Sequence, residues 1–390
     1  LAALIDTLSH EARMAPESGI VEVFNAGQGR DDVIPLWAGE GDLPTPKFIC
    51  DAAKQSLDNG ETFYTYQRGI PELRTALAGY HQRVFGKAFA PERFFVTGSG
   101  MQSIQLAIQA IASSGEEVLV PTPTWPNIEA ALGIRGVKPV SVPMREVPEG
   151  WELDVDDLEA SITPKTAAIF LNSPSNPTGW VASEEVLRQV LGLARKHGLW
   201  IIADEIYALF YYGGANRAPS FYDIADENDQ IIYVNSMSKN WAMTGWRIGW
   251  ISAPEALGQV LENLIQYSTS GVPMFSQRAA VSALNDGHTF LEQQVALAKE
   301  GRDCVVQGLG ALNRVRIAAP QGAFYLFFSI DGVDDTRKFA MDCVRETGVG
   351  LAPGTAFGNG GENYIRLCFA RQRAHLEEAI QRISVWLPEI

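Results

Sequence analysis

The chain is poor in positive charge, in cysteine and histidine, and in long apolar runs. Its 31 Lys and Arg face 46 Asp and Glu, a formal charge of −15. Nucleic-acid backbones are bound through surplus Lys and Arg, so this balance excludes a nucleic-acid partner. An anionic membrane surface gains no attraction from it either. An anionic small molecule stays admissible if a few placed arginines receive it. No apolar stretch reaches the length that crosses a bilayer. The N-terminal residues show no basic run followed by an apolar core, so a cytoplasmic location is expected. Cys50, Cys304, Cys343 and Cys368 are too scattered for a disulfide or metal framework, and the five histidines form no cluster. No metal site is expected.

What is present is a globular composition, 46% hydrophobic and 20% charged, over 390 residues. That length accommodates two domains. Short β-branched or aromatic runs bounded by turn residues predict strands over 94–97, 117–121, 138–143, 167–172, 199–204, 231–235 and 247–252. Helical periodicity lies between several of them, as at 102–112 and 184–197. The alternation predicts an α/β fold, a mainly parallel seven-stranded sheet between helices. Such sheets bind ligands beyond the carboxyl ends of their strands. The pattern then changes: one long helix over 276–309, a strand at 323–329, a helix at 336–347, a strand at 363–369 and a last helix at 374–385. We expect a large cofactor-binding domain over 46–276 and a smaller α+β domain over 277–390. The segment 1–45 is expected to join the small domain as an arm, with 25–46 extended.

The chemistry centres on Lys239, in Asn235-Ser236-Met237-Ser238-Lys239-Asn240-Trp241-Ala242-Met243-Thr244-Gly245-Trp246-Arg247. A lysine at a strand exit, beside hydroxyls and an arginine, suits an amine that condenses with a phosphorylated aldehyde. Gly98-Ser99-Gly100-Met101-Gln102 joins a strand to a helix, where free amides can receive phosphate. Asn172-Ser173-Pro174-Ser175-Asn176-Pro177-Thr178-Gly179 forms a proline-stiffened turn. Asp204 ends an apolar strand, where a buried carboxylate needs a cationic partner.

Taken with Gly39-Glu40-Gly41-Asp42, Tyr64-Thr65-Tyr66-Gln67-Arg68-Gly69, Trp125, Tyr207 and Tyr364-Ile365-Arg366-Leu367, these pieces resemble the class I/II aminotransferase family. This is the aspartate aminotransferase superfamily of pyridoxal 5'-phosphate enzymes, fold type I. The matching pieces stand in family order over about 35–370. The resemblance implies transfer of an amino group between an α-amino acid and a 2-oxo acid in two half-reactions. Lys239 would hold the cofactor as an internal aldimine and move the substrate proton. Asp204 would pair with the pyridinium nitrogen. Tyr207 and Asn176 would bond the phenolic oxygen, and Trp125 would stack on the ring. Ser99, Gly100, Met101, Ser236 and Arg247 would hold the phosphate, with Ser238 a weaker candidate. Arg366 would clamp the substrate α-carboxylate, with Asn176 and the Gly39 backbone nearby. Tyr64 would reach the neighbouring subunit's phosphate, which implies a homodimer.

Two other readings use the same motifs: a β- or γ-lyase or ring-forming synthase, and a non-catalytic ligand-sensing module, which ranks last. A structural Asp or Glu is the rival partner for Arg366. The second arginine of the dicarboxylate-specific branch is missing, because residues 248–277 contain none. Trp37, Trp125, Met274 and Phe275 hint instead at an apolar or aromatic substrate. The choice is expected to lie in 20–37 and 267–275. Trp37, Tyr66 and Tyr325 are otherwise assigned to the core.

Overall fold

The computed structural model describes residues 2–389. Seven strands form the large sheet: β1 (Phe94–Thr97), β2 (Glu117–Thr122), β3 (Lys138–Pro143), β4 (Thr166–Asn172), β5 (Trp200–Asp204), β6 (Ile231–Ser236) and β7 (Gly249–Ser252). Their order across the sheet is β1-β7-β6-β5-β4-β2-β3. Only β7 runs antiparallel to its neighbours. Alternate residues of the central strands enter separate apolar cores. Ala168, Phe170 and Ile202 pack on one face, Ile169, Leu171 and Ile201 on the other. Burial on both faces is why these strands read as unbroken apolar runs.

Helices α1 (Gly19–Gly27), α2 (Lys47–Asp58), α3 (Pro71–Phe85), α4 (Gly100–Ile111) and α5 (Glu184–His197) precede or intersperse these strands. The sequence dictates the ends of α5 locally. The Ser183 hydroxyl accepts from the Val186 amide, acidic residues fill the first turn and basic ones the last, and Gly198 closes it at φ 67°.

The expected helix over 276–309 is two helices, α6 (Met274–Asp286) and α7 (His288–Gly310). The break is at Gly287, where a Cβ would lie 2.3 Å from the Ala283 carbonyl and 2.6 Å from Trp241 Nε1. The buried face of α6 packs on α2 and α3, so position 277 falls inside a helix that belongs with them.

A second, antiparallel sheet contains β8 (Val315–Ile317), β9 (Tyr325–Ile330), β10 (Ala352–Pro353) and β11 (Tyr364–Cys368), in the order β8-β9-β11-β10. Helices α8 (Thr336–Thr347) and α9 (Arg373–Trp386) accompany it. The N-terminal segment folds back here. Ile34–Pro35 pairs in parallel with Val349–Gly350, and α1 packs on α8, where Arg337 and Glu22 approach to 2.6 Å. The stretch expected to be extended thus includes the end of α1. Among the described residues no helix is long and apolar enough to cross a membrane, and no group of His, Cys, Asp and Glu is placed to hold a metal.

Candidate active site

The carboxyl ends of β4, β5 and β6, the start of α4 and the returning N-terminal segment enclose a cavity of about 570 Å³. Every predicted site residue except Ser99 and Tyr64 lines it. Ser99 sits just behind the wall as the N-cap of α4. Its hydroxyl accepts from the Gln102 amide, while the Gly100 and Met101 amides have no protein acceptor among the described residues. Two open amides at a helix N-terminus form a ready anion site. Ser236 and Ser238 share a 2.8 Å hydrogen bond beside it. Gly249 lets β7 pass directly beneath, since a Cβ there would sit 2.7 Å from the Asn235 carbonyl and 2.8 Å from the Gly100 nitrogen.

The turn after Lys239 is bent through two unusual backbone positions, Ala242 at φ 52° and Arg247 at φ 51°. Left-handed conformations cost non-glycine residues on the order of 1–3 kcal/mol and cluster at ligand sites. Here they return the chain so that Arg247 reaches the cavity, its guanidinium donating to the Thr244 carbonyl at 2.6 Å.

Lys239 is partly buried. Its ammonium donates to the Gly39 carbonyl at 2.6 Å. Glycine at 39 permits this approach, because a Cβ would stand 2.8 Å from the Tyr325 hydroxyl. From α7, the Gln294 amide holds the Lys239 carbonyl at 3.2 Å. Burial lowers the Lys239 pKa to about 8, which brings the free amine within reach near neutrality. Asp204 is 6% exposed and pushed up to about 7, chiefly by burial, with the Ile206 amide and the Lys239 charge opposing that rise.

One unpredicted residue ties the Asp204 backbone to the asparagine turn. The Asn172 side chain donates to the Asp204 carbonyl at 3.1 Å and accepts from the Asn176 amide at 2.8 Å. Asn176 in turn offers its oxygen to Arg366 at 3.0 Å, leaving its own side-chain NH₂ without a protein acceptor among the described residues. Tyr207 shares a 2.7 Å bond with the Tyr325 hydroxyl, and burial raises both phenols far out of the neutral range. Tyr325 and Trp37, assigned to the core from the sequence, both line the cavity. A tyrosine opening an otherwise apolar strand was the available signal for the first.

Arg366 is 2% exposed. It donates to the Asn176 oxygen and the Trp37 carbonyl, and its Nε has no partner among the described residues. Among those residues it makes no ion pair either, so the rival structural carboxylate is absent. A buried guanidinium held only by neutral acceptors is a poised carboxylate receptor. Trp125 and Ile206 supply apolar surface along the cavity wall.

Tyr64 is not brought to this cavity by its own chain. It is 92% exposed and lines an adjoining open mouth with Thr65, Thr269 and Met274, which meets the cavity at Thr244 and Arg247.

The residues present suit pyridoxal phosphate on their own terms: open amides and an arginine for a phosphate, a buried carboxylate for a ring cation, a depressed lysine for an aldehyde. Comparison with known proteins agrees. The family model "Aminotransferase class I and II" matches residues 31–383. An aspartate aminotransferase of Pyrococcus horikoshii is 34% identical over 97% of this chain and 96% of its own. Aromatic-amino-acid aminotransferase 2 of Thermococcus litoralis is 34% identical over 98% of each. The solved aspartate aminotransferase of Thermotoga maritima superposes with a TM-score of 0.91, at 32% identity over 98% of this chain and 100% of that one. This chain therefore belongs to the class I and II aminotransferases, enzymes that transfer amino groups with pyridoxal 5'-phosphate.

Proposed function

We propose that the cavity around Lys239 is the transamination site and that its residues divide the work as follows. The Gly100 and Met101 amides, Ser236 and Arg247 would receive the cofactor phosphate, Arg247 by its planar fork, while Ser99 caps the helix that presents the two amides. Asp204 would pair with a protonated ring nitrogen, and such a cation would relieve the cost of burying Asp204. Asn176 and Tyr207 would donate to the phenolic oxygen, and Trp125 would cover the ring. When bound, pyridoxal phosphate supplies an electron sink for the pair left on the substrate α-carbon.

The chain's own groups set the geometry and move the proton. Arg366 and Asn176 fix the α-carboxylate, which orients the Cα–H bond to be broken. Lys239 first carries the cofactor. Once freed, its amine would take the proton from Cα and hand it on, and burial lowers its pKa to about 8, which suits a proton carrier near neutrality.

The observation that carries this reading is Arg366, buried without an acidic partner among the described residues in the same cavity as Lys239 and Asp204. The test is to load purified protein with pyridoxal phosphate and follow its visible band as single amino acids are added. Bleaching of the band with release of a 2-oxo acid is expected. Release of ammonia without an acceptor would mark elimination instead, and a protein that gives no visible band on loading would defeat the assignment.

A homodimer belongs to the same reading. Phe63, Tyr64, Tyr66 and Tyr267 are 84%, 92%, 65% and 88% exposed beside the outer mouth. So much aromatic surface calls for a covering partner, and Tyr64 would then reach the neighbour's phosphate. Four free cysteines support a reducing cytoplasm. The N-terminal segment is read as part of the smaller unit built on the second sheet.

A further inference from the structure

We infer that the side-chain subsite of this cavity is built for uncharged, apolar amino acids, aromatic or large aliphatic, and rejects aspartate, with Phe24 and Trp37 as the specificity-determining pair. The inference rests on the reading of Arg366 as the α-carboxylate clamp.

Among the described residues three cations line the cavity, Lys239, Arg247 and Arg366, and in the proposed mechanism each is assigned to the cofactor or to the α-carboxylate. The one carboxylate there, Asp204, is committed to the ring nitrogen. A second substrate carboxylate would find no cation left. Away from Asn172, Asn176 and Tyr325 around the clamp, the wall carries the neutral polar residues Ser18, Asn127 and Thr244. The side supplied by α1 and the segment after it is apolar: Ile20, Val21, Phe24 and Trp37.

Trp37 is fixed relative to the clamp, because its carbonyl accepts from Arg366. Its indole is seated where only glycines leave room. A Cβ at Gly350 would lie 1.9 Å from the ring, and one at Gly27 would lie 2.6 Å from it. Phe24 meets Trp37 edge to face, with centroids 6.0 Å apart and planes at 77°. Phe24 and Val21 are nonetheless 47% and 50% exposed. Half-exposed apolar groups over a cavity gain free energy when an apolar ligand covers them.

The outer mouth supplies no remedy. Its only cation among the described residues is again Arg247, and Glu40, Asp42 and Glu61 line it. Segments 61–66 and 269–275 contain no Lys or Arg, so a second copy of the chain presenting them would bring none either. A buried carboxylate without a partner loses its hydration uncompensated.

The holoenzyme tests this by its first half-reaction. The visible cofactor band is followed after rapid mixing with phenylalanine, leucine, alanine or aspartate. The rate constant over KM for phenylalanine is expected to exceed that for aspartate by roughly 100-fold or more. Aspartate reacting as well as phenylalanine would overturn the inference while leaving the transaminase reading intact. No conversion with any amino acid would overturn the clamp and this inference together.

Binding provides a readout free of turnover. By calorimetry 3-phenylpropanoate should bind at least about tenfold tighter than succinate, and the reverse order would contradict the inference. Phe24→Ala, at a half-exposed position where folding is not at stake, should cost phenylalanine about tenfold more than alanine. An equal loss for both would make Phe24 a structural residue only.

Discussion

Asp204 and Glu205 are chain neighbours at the end of β5, each 6% exposed and each pushed up to about 7 by burial. Their surroundings differ completely. Glu205 accepts from the Ser220 hydroxyl at 2.6 Å and the Phe221 amide at 3.2 Å, so both of its oxygens are engaged by protein. Asp204 accepts one 3.3 Å bond, from the Ile206 amide, and otherwise faces the cavity. The same contrast separates two arginines. Arg217 makes a two-pronged pair with Asp223 at 2.8 and 2.6 Å, whereas the more buried Arg366 has neutral acceptors only. Burial and a shifted pKa therefore do not mark the site. Among these four groups, the two left short of partners, Asp204 and Arg366, are the two that face the cavity, where a ligand can complete them.

The comparison breaks most visibly at Lys239. Lys239→Ala should lower the half-reaction rate by about 10⁴-fold or more, since attachment and proton transfer both go. Turnover at the wild-type rate would end the mechanism. The change should leave folding intact, as checked by the thermal midpoint, because a partly buried ammonium costs stability rather than supplying it.

Asp204 and Glu205 should part company in their pH dependence. For both, the folded pKa of about 7 lies above the ordinary carboxylate value, so their stability contribution is full below about pH 4 and is lost as pH rises through 7. In cofactor-free protein, Asp204→Asn should gain on wild type by about 4 kcal/mol between pH 4 and 8, measured by urea unfolding. Glu205→Gln should gain in the same direction over a smaller span, about 3 kcal/mol, on top of a pH-independent loss at Ser220 and Phe221. Loading pyridoxal phosphate should flatten the Asp204 difference, because a ring cation then pairs with that carboxylate, and leave the Glu205 difference in place. If loading leaves both differences unchanged, Asp204 does not face the ring nitrogen.

Arg366→Lys should cost about 10²-fold in kcat/KM, because an ammonium cannot reproduce the two-pronged clamp. Arg217→Lys, by contrast, should leave kinetics within about twofold and register only as a fall in thermal midpoint. An equal kinetic loss at both arginines would erase the distinction between a receptor and a structural pair.

What the sequence reveals and what it hides divide along the same line. The large sheet's strands, the asparagine turn, Asp204, Lys239 and Arg366 are readable because each combines an apolar run with a turn or polar residue at its end. The break at Gly287 has a local turn signal in Asp286-Gly287 that the expectation of one long helix leaves out, whereas nothing local shows that Trp241 lies against it. The helix over Gly19–Gly27 hides in a segment whose glycines suggest an arm. The bond of Asn172 to Asp204 spans 32 residues and that of Tyr207 to Tyr325 spans 118. Such contacts follow from how the two sheets meet, which no local pattern encodes.

Tyr325 turns that gap into the smallest of the expected effects. If the pair Tyr207–Tyr325 serves only packing, removing either hydroxyl should shift stability alone, since each loss leaves one buried phenol short of a partner at about 1 kcal/mol. If Tyr207 donates to the cofactor and accepts from Tyr325, the two changes separate. Tyr207→Phe should lower the half-reaction rate about tenfold and shift the pH at which the visible band changes colour, because the phenolic oxygen loses a donor. Tyr325→Phe should move the same band in the same direction but by less, since it only withdraws polarisation from Tyr207. A spectral titration of the two variants and wild type distinguishes these outcomes. Identical titrations for all three would return both tyrosines to the core, on the Glu205 side of the comparison.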